Sequence, residues 1–329
     1  MKHTVYIKHL SNSSDAISVI SELSKNVNAE ELVFDFSQLS FAKTIATALV
    51  AREMRWVVAN RKSKDLNTFC KGHNQVTKPA ISYLNFIGFF DFIGVENCSC
   101  KVRSSAEAHD SYIAITKYNY RRFKSNEEVD HYRTAYDYIN DEAGAISKLL
   151  TNDSTKNRIL QYAICEIMRN AYEHSQSVDF YAFGQYWSNG NVELVLMDDG
   201  VGLKKTLSTK YPLITSEEMA IKEAIKPGVS GSNFDNNKYN NSGFGLYVLT
   251  EFAKKHGQMY IASKDCLLQL SSNNELANNV CSAGTLVGIH LSRIPDDYRR
   301  EIEEIISDGD IISSKSRYPI HPSKNTFNF

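Results

Sequence analysis

Four groups of residues in this 329-residue chain could do chemistry, and the first is Glu166 with Asn170 in "ICEIMRNAYEHS", Ile164 to Ser175. Four residues make slightly more than one helical turn, so a carboxylate and a carboxamide project side by side from one face. The neighbours Ile164, Ile167, Met168 and Ala171 make that face apolar. A buried carboxylate must find a cation, a donor or water, because desolvating it alone is costly. The pair is either a capped or salt-bridged core feature or a site in which the acid handles a proton and the amide oxygen binds a hard cation. Spacing does not decide between them.

The second group is "LMDDGVGL", an apolar strand ending in Asp198, Asp199, Gly200, Val201 and Gly202. Glycines at alternate positions let a ligand approach the backbone, and an acid at a strand end can accept a hydrogen bond from an exocyclic amine. A plain strand-end turn reads the same way. The third is "KPGVSGSNFDNNKYNNSGFGLYVLTEFAKKHG", a Gly, Ser and Asn run that closes at Ser242, Gly243, Phe244, Gly245 and Leu246 and becomes a helix. Backbone N–H groups at a helix start suit a phosphate. A long irregular run inside a domain is more often a lid than filler, with a disordered insertion as the alternative. The fourth, Gly284 and Thr285 in "SAGTLVGIHL", could bring a hydroxyl to the same pocket.

The elements that must position these groups follow from periodicity. In the first hundred residues, a helix is expected from Asp15 to Lys25, capped by Ser13 or Ser14. A strand follows from Leu32 to Phe36, then a helix from Thr44 to Ala59, which together form the unit of an α/β layer. "AISYLNFIGFFDFIGVE" predicts a helix up to Gly88 and then a short strand. The polar "CSCKVRSSAEAH" suits a linker. Beyond it come the strand "SYIAITKYNY", the helix "EEVDHYRTAYDYINDEAGAISKLL", a helix from Thr155 to Glu173, and the strands "VDFYAFGQYW" and "NVELVLMDDG" joined by the hairpin signal "SNGN". A helix opens at Gly243 and runs through His256, and "MYIASKD" and "GTLVGIHLS" close the sheet. The divisions are 1–100, a linker 101–110, a second α/β domain 111–295 and a polar, partly mobile tail 296–329.

Composition bounds the class. With 42% hydrophobic and 23% charged residues the chain should fold as a globular protein, and 37 basic against 38 acidic side chains, a net charge of -1, disfavours nucleic acid as a partner. No stretch has the length of apolar residues that a membrane span or signal core requires, so a cytoplasmic location with no membrane partner is expected. The six cysteines form no regular framework, and reduced thiols are expected.

In this order and at these separations the four groups resemble the Bergerat-type ATP-binding fold of the GHKL superfamily, shared by histidine kinases, gyrase and the MutL proteins. Glu166 and Asn170 match its N-box, Asp198 to Gly202 its first glycine box, Ser242 to Leu246 its second, and Gly284 with Thr285 its closing Gly-Thr. The resemblance covers about Ser111 to Ser292 and implies an α/β sandwich binding ATP with Mg²⁺. Asn170 would coordinate Mg²⁺. Asp198 would accept from the adenine amine with Thr285 assisting. Gly200 and Gly202 would line the base and ribose, and Gly243, Phe244, Gly245 and Leu246 would bring amides to the phosphates. Glu166 would orient or deprotonate the attacking hydroxyl, of water or of a protein serine.

His109 and His131 precede the N-box but lack the paired long helices of a sensor histidine kinase, and no transducer domain of the gyrase and MutL type is expected in these residues. "NAYEHS" is closest to the anti-sigma-factor serine kinase branch, whose members are bacterial regulators. "LVFDFSQLSFAKTIATALV" and "YLNFIGFFDFIGVE", within Thr4 to Glu96, resemble STAS domains, the antagonists in such systems. The phosphorylated turn of those domains is here Ala42 to Ala46, which keeps only the Thr44 hydroxyl and lacks the acid and glycine. Thr44 is therefore a candidate acceptor or simply a helix start.

Together the resemblances imply a STAS-like N-terminal domain fused to a Bergerat domain with ATPase or serine/threonine kinase activity. A lid at Lys204 to Asn241 would signal to the first domain or to a partner protein. The alternatives are an ATP-dependent interaction module without rapid turnover, or an ATP-driven homodimeric clamp in a defence or repair role.

Overall fold

The computed structural model describes residues 2–96, 112–119, 134–151, 153–231, 243–280 and 284–315. His109, His131, the 101–110 linker, Ser242, residues 232–241 of the expected lid and the end of the tail from 316 lie outside these residues. The chain is a mixed α/β protein built on two principal sheets. Among the described residues, no helix is long and apolar enough to cross a membrane.

Residues 2–96 form a parallel sheet of β1 (Lys2–Tyr6), β3 (Glu31–Asp35) and β5 (Asn67–Lys71), in that order, with a two-stranded parallel accessory of β2 (His9–Leu10) and β4 (Phe41–Ala42). The crossovers are α1 (Ser13–Asn26) and α2 (Thr44–Lys62). Asn12 caps α1 by accepting from the Asp15 amide, so the expected caps Ser13 and Ser14 are instead the first two residues of the helix. After α3 (Pro79–Phe86), Gly88 takes a left-handed conformation and the chain re-enters a short helix, α4 (Phe89–Ile93), where a strand was expected. Its phenylalanines Phe89 and Phe90 pack edge-to-face on Phe36 instead of joining a ladder.

The second sheet has seven strands in the order β11-β10-β9-β12-β8-β7-β6, with antiparallel neighbours throughout. These are β6 (Tyr112–Asn119), β7 (Asp179–Tyr186), β8 (Val192–Asp198), β9 (Gly257–Ser263), β10 (Cys266–Ser271), β11 (Asn274–Asn279) and β12 (Thr285–Leu291). Its helices are α5 (Ala135–Leu150), α6 (Ser154–His174), the short α7 (Leu203–Leu207) and α8 (Glu217–Ala224), α9 (Gly245–His256) and α10 (Tyr298–Ser314). The hairpin β10–β11 and the helices α7, α8 and α10 extend the expected set. The first part of the expected lid, before the irregular run that begins at Lys226, holds α7 and α8 over a small core of Leu207, Ile214, Ala220 and Ala224. The region expected as a polar tail is helical because Tyr298, Ile302, Ile305 and Gly309 recur at helical spacing and seat on α9.

Every residue of β8 is buried, which requires cover on both faces. Val192, Leu194 and Leu196 pack under α5, α6, α9 and α10. Val195 and Met197 belong instead to the core of the N-terminal unit, together with Tyr181, Phe183, Ala262 and Leu286. The division at residue 100 therefore does not separate two cores: α2 lies between the parallel sheet and the back of the seven-stranded sheet, against β7, β8 and β12. This is why α2 is buried on nearly all sides from Thr44 to Met54.

Candidate functional site

A cavity opens between the helical face of the large sheet and α6 to α9. Its wall is mostly apolar, with Phe180, Leu196, Ile261 and Val287 contributed by the sheet, as is usual for a small-molecule site. Of the residues singled out in the sequence, Asn170, Asp198, Gly202, Gly243, Gly245, Leu246 and Thr285 line it. Asn170 comes from the last turns of α6, Asp198 from the end of β8, and Thr285 from the start of β12, paired with Asp198 in the ladder.

Asp198 is 6% exposed. Its Oδ1 accepts from the Gly200 amide at 2.7 Å, and the Thr285 amide also donates to its carboxylate. Burial nevertheless dominates and pushes its pKa up to about 6, with Arg52 opposing that rise and Asp199 adding to it. Asp199 turns to the other side of the sheet, where Arg55 approaches its Oδ2 at 3.4 Å.

Gly200 does not line the cavity as expected. A Cβ there would fall 2.2 Å from the Ser175 carbonyl oxygen, so the glycine serves the approach of the first box to the end of α6, where the Val201 amide donates to that same oxygen at 2.8 Å. Phe244 is likewise off the cavity wall. Its ring is fully buried in the helical core, edge-to-face with Tyr247 and in contact with α10 at Gly309. Ser242 lies outside the described residues.

Glu166 is 6% exposed and is not on the cavity wall. Its Oε1 accepts from Arg169 at 3.2 Å, and its other oxygen lies beneath Gly245. Burial raises its pKa, and Arg169 pulls it back. Arg169 stacks over the Tyr136 ring at 4.5 Å, and the Tyr136 hydroxyl donates to Glu173. As found, the acid is an ion-paired group behind the wall.

One lining residue, His174, and two residues packed against Gly202 behind the wall, Glu217 and Lys264, carried no sequence signal. His174 is half-buried at the cavity edge, with Nε2 3.5 Å from Glu173 Oε2. Burial lowers its pKa to about 4, with the cations Arg169 and Lys210 acting in the same direction, so it is neutral near pH 7. Glu217 Oε2 accepts from the Lys204 amide at 3.1 Å and from Ser263 Oγ at 2.7 Å, tying α7 and α8 to the sheet. Lys264 Nζ donates to the Gly200 carbonyl at 2.8 Å. The Glu217 cluster was legible only as "TSEEM", a helix start with Ser216 as cap.

Thr44, the candidate acceptor, is fully buried beside the hydroxyl of Tyr83. No kinase can reach it without lifting α2 from the large sheet. Cys165 and Cys266 are free thiols, whereas Cys70 is disulfide-bonded, so the expectation of reduced thiols fails at that position. Among the described residues, no group of three or more His, Cys, Asp or Glu could hold a metal ion.

Comparisons with known protein families, with curated proteins and with solved structures found no match.

Proposed function

We propose that the chain is a MgATP-binding regulatory protein whose nucleotide occupies the cavity between α6 and α9. The observation that carries this reading is the convergence of four sequence segments, far apart in the chain, on one cavity wall: Asn170, then Asp198 with Gly202, then Gly243, Gly245 and Leu246, and Thr285. The residues fit the group chemically. A buried carboxylate between apolar walls suits the amine of a base. The first amides of α9 have no acceptor within the helix and favour an anion. Asn170 offers one hard oxygen, and the remaining ligands of a Mg²⁺ ion would be phosphate oxygens and water, which is its usual mode of binding.

When bound, Mg²⁺ would neutralise and orient the phosphates. The chain's own part is to fix the base at Asp198, hold the phosphates at α9 and exclude water beneath α7 and α8. Turnover, to water or to a serine hydroxyl, needs Glu166 to release Arg169 and enter the cavity. That ion pair favours a second reading, an ATP-dependent interaction module with slow turnover. In either case the shared core makes residues 2–96 the natural reader of nucleotide state, alongside a protein partner or a second copy.

Incubation with γ-labelled ATP and Mg²⁺ tests the proposal. Label on the protein or on a co-purified protein supports a kinase, and free phosphate supports an ATPase. Calorimetric ATP binding without either supports the module. No binding of ATP at millimolar concentration would sink the reading altogether.

A further inference from the structure

We propose that Arg52 and Arg55 of α2 are positioning residues for nucleotide-base recognition, holding Asp198, Asp199 and the Gly284 turn from behind the sheet. Through them, the N-terminal unit sets nucleotide affinity and base preference. The inference rests on the reading of Asp198 as the base acceptor.

Arg52 is 5% exposed, in a helix otherwise packed with small and apolar residues. A guanidinium in such a place is tolerated only with good partners. One amine, Nη2, donates to the Gly284 carbonyl at 3.0 Å, and Nη1 meets Glu53 Oε1 at 3.3 Å. The carboxylates of Asp198, Asp199 and Glu217 add their attraction.

Gly284 is tightly placed. Its φ is +76°, and a Cβ built on it would fall 1.8 Å from the Asp198 carbonyl oxygen. The next residue, Thr285, pairs with Asp198 in the ladder, and its amide donates to the Asp198 carboxylate. A shift of Gly284 therefore moves both residues at the base end of the cavity.

Arg55, three residues on and so on the same face of α2, holds the adjacent acid. It donates to Asp199 Oδ2 at 3.4 Å, to the Tyr181 hydroxyl at 2.8 Å and to the Phe92 carbonyl at 3.1 Å. Its guanidinium lies 4.9 and 5.0 Å from the ring centroids of Phe92 and Tyr181. One helix thus holds Asp199 directly and Asp198 through the Gly284 turn, without either arginine reaching the cavity wall. The planar fork that bridges two acceptors is a property of arginine that lysine reproduces only in charge.

The test uses the full chain with ribose-labelled fluorescent ATP and GTP at fixed Mg²⁺, comparing the parent protein with Arg52→Met, Arg52→Lys and Arg55→Met. Arg52→Met is expected to weaken ATP binding at least tenfold and to shrink the ATP-over-GTP preference. Arg52→Lys should recover part of both, and Arg55→Met should move both severalfold in the same direction. A folded Arg52→Met protein that keeps the parent affinity and preference overturns the inference, even if it melts earlier, because a purely structural arginine would do that. A parent protein that binds neither nucleotide removes the underlying site and this inference with it. Should Arg52→Met fail to fold, Arg55→Met and hydrogen exchange of the parent decide. By reciprocity, MgATP must slow exchange in α2, and unchanged α2 amides under saturating MgATP would refute the coupling.

Discussion

The Glu166 carboxylate lies directly against Gly245: a Cβ built on that glycine would fall 1.9 Å from Glu166 Oε2. Two motifs far apart in sequence therefore interlock, with the first turn of α9 seated on the acid of α6. The positive end of a helix dipole beside a buried carboxylate is a favourable arrangement, and the contact leaves no room for a side chain.

Gly245→Ala should therefore force Glu166 and α9 apart. Overpacking of this kind costs about 1–3 kcal/mol, and nucleotide binding should be lost with it. Thermal denaturation and calorimetric titration check the two effects, and an unchanged melting temperature would show that the two groups are not in contact in solution.

Asn170→Ala should remove the dependence on Mg²⁺ while sparing the base contact. ATP affinity in the presence of a chelator should equal that of the parent, and the gain on adding Mg²⁺ should disappear. Titrations with and without Mg²⁺ measure this directly. An equal gain in both proteins would place the ion elsewhere.

Asp198 should impose an acidic limit on ATP binding. Its carboxyl, raised by burial to about 6, accepts the base amine only when ionised, so affinity should fall as pH drops through about 6. Asp198→Asn should flatten that limb and weaken binding about tenfold or more, the range of a lost charge-assisted hydrogen bond. The stability effect has the opposite sign. A raised carboxyl pKa favours the fold below the unfolded value of 3.8, and that contribution is lost as pH rises through about 6. The ligand-free Asn variant should therefore melt higher than the parent at pH 7, a comparison that calorimetry makes directly.

His174 should make the protein acid-labile. Its folded pKa is lowered from 6.5 to about 4, so the stability associated with the neutral ring is complete above 6.5 and is lost as pH falls through about 4. The spread between those values corresponds to on the order of 3 kcal/mol. His174→Gln, which cannot charge, should show a flatter fall in melting temperature between pH 6.5 and 4. Parallel curves for the two proteins would count against the assignment.

Much of the site was legible because its residues break local rules. A carboxamide on an apolar helix face, two acids closing a buried strand and glycines opening a helix each conflict with the bland expectation for their element. The cavity brings Asn170, Asp198, Gly202, Gly243, Gly245, Leu246 and Thr285 together. The departures are instructive. Glu166 has the right spacing but is held by Arg169 one turn on, and Gly200 is small because Ser175 lies against it. Phe244 sits in the second glycine box, yet its ring is spent on the core with Tyr247. A motif specifies residue types, and their direction depends on neighbours that the motif does not contain.

Arg52 and Arg55 show the same limit from the other side. Nothing in "ALVAREMRWVV" singles them out, and the pattern of α2 alone could not say that a second sheet covers it. Local periodicity by itself determined the helices α2 and α6, the strands β6 to β9 and β12 of the large sheet, and the order of the four chemical groups. Tertiary structure alone decided that residues 2–96 and the large sheet share one core, that Thr44 is sealed, that Glu166 stands behind the cavity wall, and that Arg52 meets the Gly284 turn while Arg55 meets Asp199. The physical reason is that periodicity reports whether a face is buried, whereas the partner that buries it is chosen by long-range packing that no single segment encodes.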